Sequence, residues 1–287
     1  MLKSIGIVGC GFVGNAIKEG FKSHVKVHVY DKYLSEKSNT RSLKQLVENT
    51  DVVFVCLPTP MKRNGECDTS LVSSIVGEID YLCGKQGLKK TVIIKSTIPP
   101  KTTQQQNNRS DNLSVIFNPE FLTEASPVED FKNQKRIILG TDNGEEDTLQ
   151  DISSIYRAVF PDTPIVICSS VEAELIKYFC NCILAAKVSF SNEFYQLCSV
   201  LGANYKIITE AASYDERIGN SHLNAPGPDG KYGFGGSCFP KDINSLIHIM
   251  ETNNIAPLVT NAIWQKNLEV RPSKDWESLK GRAVVDD

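Results

Sequence analysis

The stretch SIGIVGCGFVGNAIKEGF, residues 4–21, decides how the first half of this chain folds. A short apolar run ends in Gly9-Cys10-Gly11-Phe12-Val13-Gly14, and a helix-like segment begins at once. A G-x-G-x-x-G pattern alone is weak, but here it joins a strand to a helix inside a β-α-β unit. The second strand, VKVHVY at 25–30, runs into Asp31, 20 residues past Gly11. Glycines so placed allow a tight turn and close approach of backbone to a pyrophosphate at the helix N-terminus. Gly9, Gly11, Phe12, Val13 and Gly14 are therefore candidate cofactor-binding residues. Asp31 would accept hydrogen bonds from ribose hydroxyls and repel a 2′-phosphate, which predicts NAD rather than NADP; Lys32 softens that preference slightly. The plainer reading is a glycine turn serving helix–sheet packing only.

The alternation continues beyond this unit. Apolar runs at 51–57, 91–96, 114–118, 135–139 and 164–168 read as further strands, with helix-like segments between them, one starting after Asp68 as N-cap and one near 144–158. Nearly continuous apolar strands separated by helices imply a buried, mostly parallel sheet. Residues 170–201 then run without Gly or Pro and are apolar nearly all round from Tyr178 to Phe190, as a long buried helix should be. Helical segments are expected at 204–212, 240–252 and 256–269. The fold class is α/β: a Rossmann-type doubly wound sheet over 1–168, then a mainly helical domain over 169–270 built on the long helix, then a short tail, 271–287.

Bulk properties narrow the function. The 287 residues carry a net charge of −3, so there is no electrostatic footprint for nucleic acid or an anionic membrane. No apolar run approaches a membrane span, and the N-terminal run breaks into the glycine motif rather than continuing as a signal peptide. The nine cysteines show no C-x-x-C pair and the four histidines no ligand-like spacing, so neither a disulfide framework nor a metal site is expected. A reducing compartment, the cytosol, follows.

Several later positions carry chemistry. LPTP (57–60) and STIPP (96–100) place Thr59 and Thr97 at the carboxyl ends of strands, where open α/β sheets bind ligands. NPEFLTE (118–124) carries Glu120 and Glu124, which share one face if the segment is helical. Two glutamates on a surface turn would be equally ordinary. Lys177 and Asn181 share a face of the otherwise apolar long helix, and buried polar groups either pair internally or face a polar ligand. In GFGGSCFPKD (233–242), glycines clear space beside Cys238, and Pro240 suits the first turn of a helix, near whose N-terminus a thiolate is favoured.

GFGGSCFPKD, with NPEFLTE, ELIKYFCN, SFSNEF and DERIG (215–219), resembles the UDP-glucose/GDP-mannose dehydrogenase family over roughly residues 1–270. The 6-phosphogluconate and hydroxyisobutyrate dehydrogenases share the two-domain architecture but lack such a cysteine block. The resemblance implies two NAD-dependent oxidations of a nucleotide sugar, UDP-glucose above all, at its C6 alcohol. It implies Cys238 as nucleophile and Lys177 and Asn181 as oxyanion stabilisers. Asp242 would orient a water or the nearby lysine, Glu120 would be the base, and Thr97 would hold a water. It further implies Lys241, Thr59 and Glu124 beside the cofactor. Phe121, Leu122, Glu124 and Gly235 would lie beside the sugar. Arg217 would reach a neighbouring subunit's substrate in a homodimer formed through helix 170–201.

The chain departs from the family at its end, where SLKGRAVVDD resembles only the opening strand of a further nucleotide-binding domain. This reads as a naturally shortened or a truncated form. The loop NAPGPDGKY, a few residues longer than usual, would partly cover the site. Two other functions stay open: a two-electron dehydrogenase of a smaller hydroxy acid, and a non-catalytic NAD-binding protein. Retention of Cys238, Lys177 and Asp242 argues against both.

Overall fold

The computed structural model describes residues 4–142 and 146–286, the side chains of 146 and 147 excepted. It divides into two compact units, one of Met1–Thr59 with Thr69–Lys177, the other of Pro60–Asp68 with Tyr178–Asp287.

The first unit is built on strands β1 (Ser4–Val8), β2 (Lys26–Tyr30), β3 (Val52–Val55), β4 (Lys90–Ile94), β5 (Leu113–Phe117), β6 (Ile137–Thr141) and β7 (Ile165–Ser169). They form one sheet in the order β2-β1-β3-β4-β5-β6-β7. The first five are parallel, β6 runs antiparallel to β5, and β7 is parallel to β6. Because β2 and β3 flank β1 on opposite sides, the winding reverses there, which makes the carboxyl ends of β1 and β3 the place for a ligand. Helices α1 (Phe12–Phe21), α2 (Leu43–Glu48), α3 (Ser70–Gln86), α4 (Thr102–Arg109), α5 (Pro127–Lys132) and α6 (Glu146–Val159) connect the strands. The expected start of α6 near 144 falls outside the described residues.

Strand alternation explains why β3 reads as uninterrupted apolar sequence. Val52 and Phe54 join a core with Ile5, Phe21, Phe131 and Tyr156, while Val53 and Val55 join a second core with Val76, Ile79 and Ile94. Both faces of the sheet are thus covered. Asp68 is not a helix cap: α3 begins after Thr69, and the Asp68 amide instead donates to the Pro60 carbonyl.

The second unit holds most of α7 (Ser170–Leu201), with α8 (Tyr205–Ser213), α9 (Cys238–Thr252) and α10 (Leu258–Val270). α7 has the expected bounds but not the expected burial. Its apolar girth exceeds what the chain itself covers, and Phe179, Ile183, Phe190, Phe194, Leu197 and Leu201 form an exposed stripe, with Phe190 67% accessible. Residues 271–286 fold onto this unit. The buried Trp276 packs with Met61, Ala283 and Trp264, and Met61 exchanges backbone hydrogen bonds with Ala283 and Val285.

Candidate active site

The glycine loop between β1 and α1 assigns each glycine its own task. Gly9 has φ +88°, and a Cβ there would lie 2.6 Å from the Cys56 carbonyl oxygen. A Cβ on Gly14 would fall 1.9 Å from the Gly9 carbonyl oxygen, so helix and loop touch only because it is absent. Gly11 faces open space. That is the side on which a diphosphate can meet the start of α1, where Phe12 is exposed and Val13 packs against the core. Asp31 braces the loop: Oδ2 accepts the Cys10 amide at 2.6 Å, and Oδ1 accepts the Tyr33 and Leu34 amides. Burial opposes its ionisation, but these amides and Lys37 outweigh it and hold the carboxyl below its usual range. A carboxylate has about four lone-pair sites, so Oδ2 retains one for a ribose hydroxyl. The loop therefore fits a dinucleotide. Lys37, whose Nζ donates to the Cys10 carbonyl, joins this group, and nothing in its spacing marked it in advance; Lys32 is exposed beside Tyr33.

At the carboxyl ends of β3, β4 and β5 the polar residues lace the strands together. The Thr59 hydroxyl donates to the Thr97 carbonyl at 2.7 Å, and the Leu57 amide donates to Ser96 Oγ. Glu120 follows β5, and its segment is not helical. Pro119 keeps residue 118 out of the helical region, and Glu120 Oε2 accepts the Leu122 amide at 2.6 Å, closing a local turn. The shared helical face expected for Glu120 and Glu124 therefore does not form; Glu120 is mostly buried and Glu124 exposed. Lys177 Nζ meets Glu120 Oε1 at 2.9 Å, with side chains only 4% and 10% accessible. Burial pushes the Glu120 carboxyl up, but Lys177, the Leu122 amide and Lys95 more than offset it and hold it below its usual range. Phe121 lies under the Arg136 guanidinium at 4.0 Å.

Lys95 was not anticipated. It follows β4, is 3% accessible, and donates to Asn118 Oδ1 at 2.7 Å. The same oxygen accepts the Tyr156 hydroxyl, and Asn118 Nδ2 donates to the Ile138 carbonyl, which fixes the amide's orientation. Burial drives the ammonium down to about 8, against the opposing pull of Cys56 and Glu120. An apolar strand that runs on into KST gives no signal that its lysine turns inward.

The second unit carries the other group. Cys238 opens α9 as its first residue, as Pro240 led one to expect, and is partly buried. One turn on, Asp242 is buried and accepts the Asn181 amide on Oδ2 and the Lys241 ammonium on Oδ1. Burial disfavours the Lys241 charge, yet Asp242, Cys67 and Cys238 outweigh it and raise its pKa above the ordinary lysine range. Arg282 Nη2 donates to Ser237 Oγ at 3.3 Å, beside the thiol. Arg217 is 89% accessible and pairs with its neighbour Asp215. Gly235 lies against the Arg271 guanidinium.

Residues 17–160 match the model of the UDP-glucose/GDP-mannose dehydrogenase family's NAD-binding domain, and residues 171–269 that of its central domain. The chain belongs to this family. It is 38% identical over 254 residues to a UDP-glucose 6-dehydrogenase of Rickettsia bellii, covering 85% of this chain and 56% of that protein. A Rhizobium meliloti UDP-glucose 6-dehydrogenase is 37% identical over 216 residues, 72% of this chain and 48% of that one. The chain thus spans about half the length of these relatives. A solved UDP-glucose dehydrogenase from Pyrobaculum islandicum superposes with a TM-score of 0.85 at 30% identity, covering 97% of this chain and 71% of that chain. The chain's seven-stranded sheet lies in the part that matches the NAD-binding domain, and none of its described helices is long and apolar enough to cross a membrane.

Proposed function

We propose that this chain carries out the NAD-dependent, four-electron oxidation of a nucleotide sugar's C6 alcohol to the uronic acid, UDP-glucose to UDP-glucuronate. The observation that carries the reading is the buried Asn181–Asp242–Lys241 network, which ties α7 to the first turns of the helix that Cys238 opens. Burying two charges and an amide opposes stability unless they are paired or used, and a thiol at a helix N-terminus near a lysine is disposed toward thiolate. The names of the similar proteins support UDP-glucose as substrate.

Two NAD molecules in turn, each held on the Gly9–Gly14 loop with Asp31 at its ribose, would supply the acceptor for one hydride apiece. Glu120, through a water held at Thr97, takes the C6 hydroxyl proton as the alcohol becomes an aldehyde. The Cys238 thiolate adds to that carbon, and Lys177 and Asn181 stabilise the oxyanion that forms on the C6 oxygen. Loss of the second hydride leaves a thioester. Water then adds, the C–S bond breaks, and the thiolate leaves the carboxylate product. The sugar loses four electrons and gains one oxygen atom from water. Phe121, Leu122, Glu124 and Gly235 line the sugar in this reading, while Lys241 and Thr59 stand toward the cofactor. The exposed stripe of α7 is covered by a second copy, whose substrate Arg217 reaches. Nine free thiols suit the cytosol.

The test is to count NADH formed per sugar across a panel of UDP- and GDP-sugars. Two per UDP-glucose, with turnover to the acid lost in Cys238→Ala, is the expected result. One NADH per small hydroxy acid, or tight NAD binding without turnover on any sugar, would overturn the reading.

A further inference from the structure

The glycine-rich loop ahead of Cys238 does not hold its own shape. The Phe234 amide donates to Asn267 Oδ1 at 2.7 Å, and Asn267 Nδ2 donates back to the Phe234 carbonyl at 3.0 Å. The Gly233 amide donates to Asn192 Oδ1 at 3.1 Å. Arg271 Nη1 donates to the Tyr232 carbonyl at 3.3 Å, and a Cβ on Gly235 would lie 2.3–2.7 Å from the guanidinium atoms. The loop therefore lies flat on the Arg271 plane, and its glycines are what allow it to.

Arg271 is itself locked in place. It is 3% accessible, its Nε and Nη2 meet Asp275 at 2.7 and 2.8 Å, and Nη2 also meets Asp229 at 2.6 Å. Asp229 lies in the NAPGPDGKY stretch, so the same guanidinium that supports residues 232–235 also anchors the preceding loop. A planar fork can do this; a lysine's point charge cannot.

We infer that Arg271 is a positioning residue for Cys238: it serves as the template on which loop 232–236 is moulded, and so sets where the thiol at the head of α9 stands. The catalytic part of this inference rests on the proposed function, but the geometry does not. A supporting residue of this kind fixes reacting groups to within a fraction of an ångström.

The test is iodoacetamide alkylation of the full chain, with each cysteine followed by peptide mass spectrometry, in native protein and Arg271→Lys. Cys238 should alkylate roughly fivefold faster in the variant through local loosening, with Cys168 and Cys180 within twofold of native. If native protein turns over UDP-glucose, kcat should fall about tenfold or more with little change in the KM for NAD. A uniform rise at all cysteines, or an unchanged Cys238 rate in a folded variant, overturns the inference. Should Arg271→Lys fail to fold, Asp275→Asn keeps the guanidinium, frees one of its anchors, and carries the same expectations. Absence of turnover in native protein would sink the functional reading while leaving the alkylation result decisive here.

Discussion

Lys177 holds Glu120 at two points, the carboxylate Oε1 at 2.9 Å and the residue's own carbonyl oxygen at 2.5 Å. One ammonium thus fixes both the charge and the backbone of the segment after β5. Lys177→Met should leave a buried carboxylate poorly compensated and destabilise the protein by about 3–5 kcal/mol. Glu120→Gln keeps a single side-chain acceptor, so its amide nitrogen must face either the Lys177 ammonium or the Leu122 amide; it should cost less than Lys177→Met only because Lys177 retains the Glu120 carbonyl oxygen as a partner. Urea unfolding of both single variants and the double variant measures the coupling; additivity would show that the pair is not an energetic unit.

The glycine loop predicts an asymmetry. Gly14→Ala drives a Cβ into the Gly9 carbonyl at 1.9 Å, and such overpacking costs about 1–3 kcal/mol or more. Gly11→Ala has space and should melt like the native protein, yet bind NAD about tenfold more weakly because the methyl group stands where a diphosphate would approach. Melting curves with and without NAD separate the two effects.

Lys95 gives a pH signature. Its ammonium titrates near 8 in the folded protein, below its ordinary 10.5. The unfolded chain therefore binds the extra proton between those values, so this group's contribution to stability is present above 10.5 and is lost as pH falls through about 8. At neutral pH the buried charge costs roughly 3 kcal/mol. Glu120 and Lys177 face it through their charges, Asn118 through its amide oxygen, and Cys56 through a thiol that burial pushes up to about 12. Lys95→Met should be more stable than native near pH 7, with the difference closing toward pH 10.5. Because Lys95 helps hold the Glu120 carboxyl low, the acid limb of kcat/KM should move to higher pH in the same variant. An unmoved limb in an active variant would mean that Lys95 acts on stability alone.

The stripe on α7 predicts assembly. Phe190→Glu places a charge at the middle of Phe179, Ile183, Phe194 and Leu197, and like charges meeting across a two-fold should split a dimer into monomers. Light scattering after size exclusion reads the mass directly; a native protein that is already monomeric at micromolar concentration would refute the assembly.

Sequence alone determined the sheet-and-helix order, the bounds of α7, the glycine loop with its acidic partner, and Cys238 at a helix start. Each is local: strand alternation, helix propensity, and Gly and Pro stereochemistry act within a few residues of one another. The chain also marked Lys177 and Asn181 as polar residues needing partners, while Glu120 stood beside Glu124 and Asp242 entered through the family resemblance. Only the tertiary structure decided who those partners are: Lys177 with Glu120, Asn181 and Lys241 with Asp242. The inward turn of Lys95, the non-helical turn at Glu120, the exposed stripe of α7 and the Arg271 brace were likewise not legible. Each depends on side chains far apart in sequence, where burial, charge pairing and backbone amides compete, and no periodicity records which of them wins.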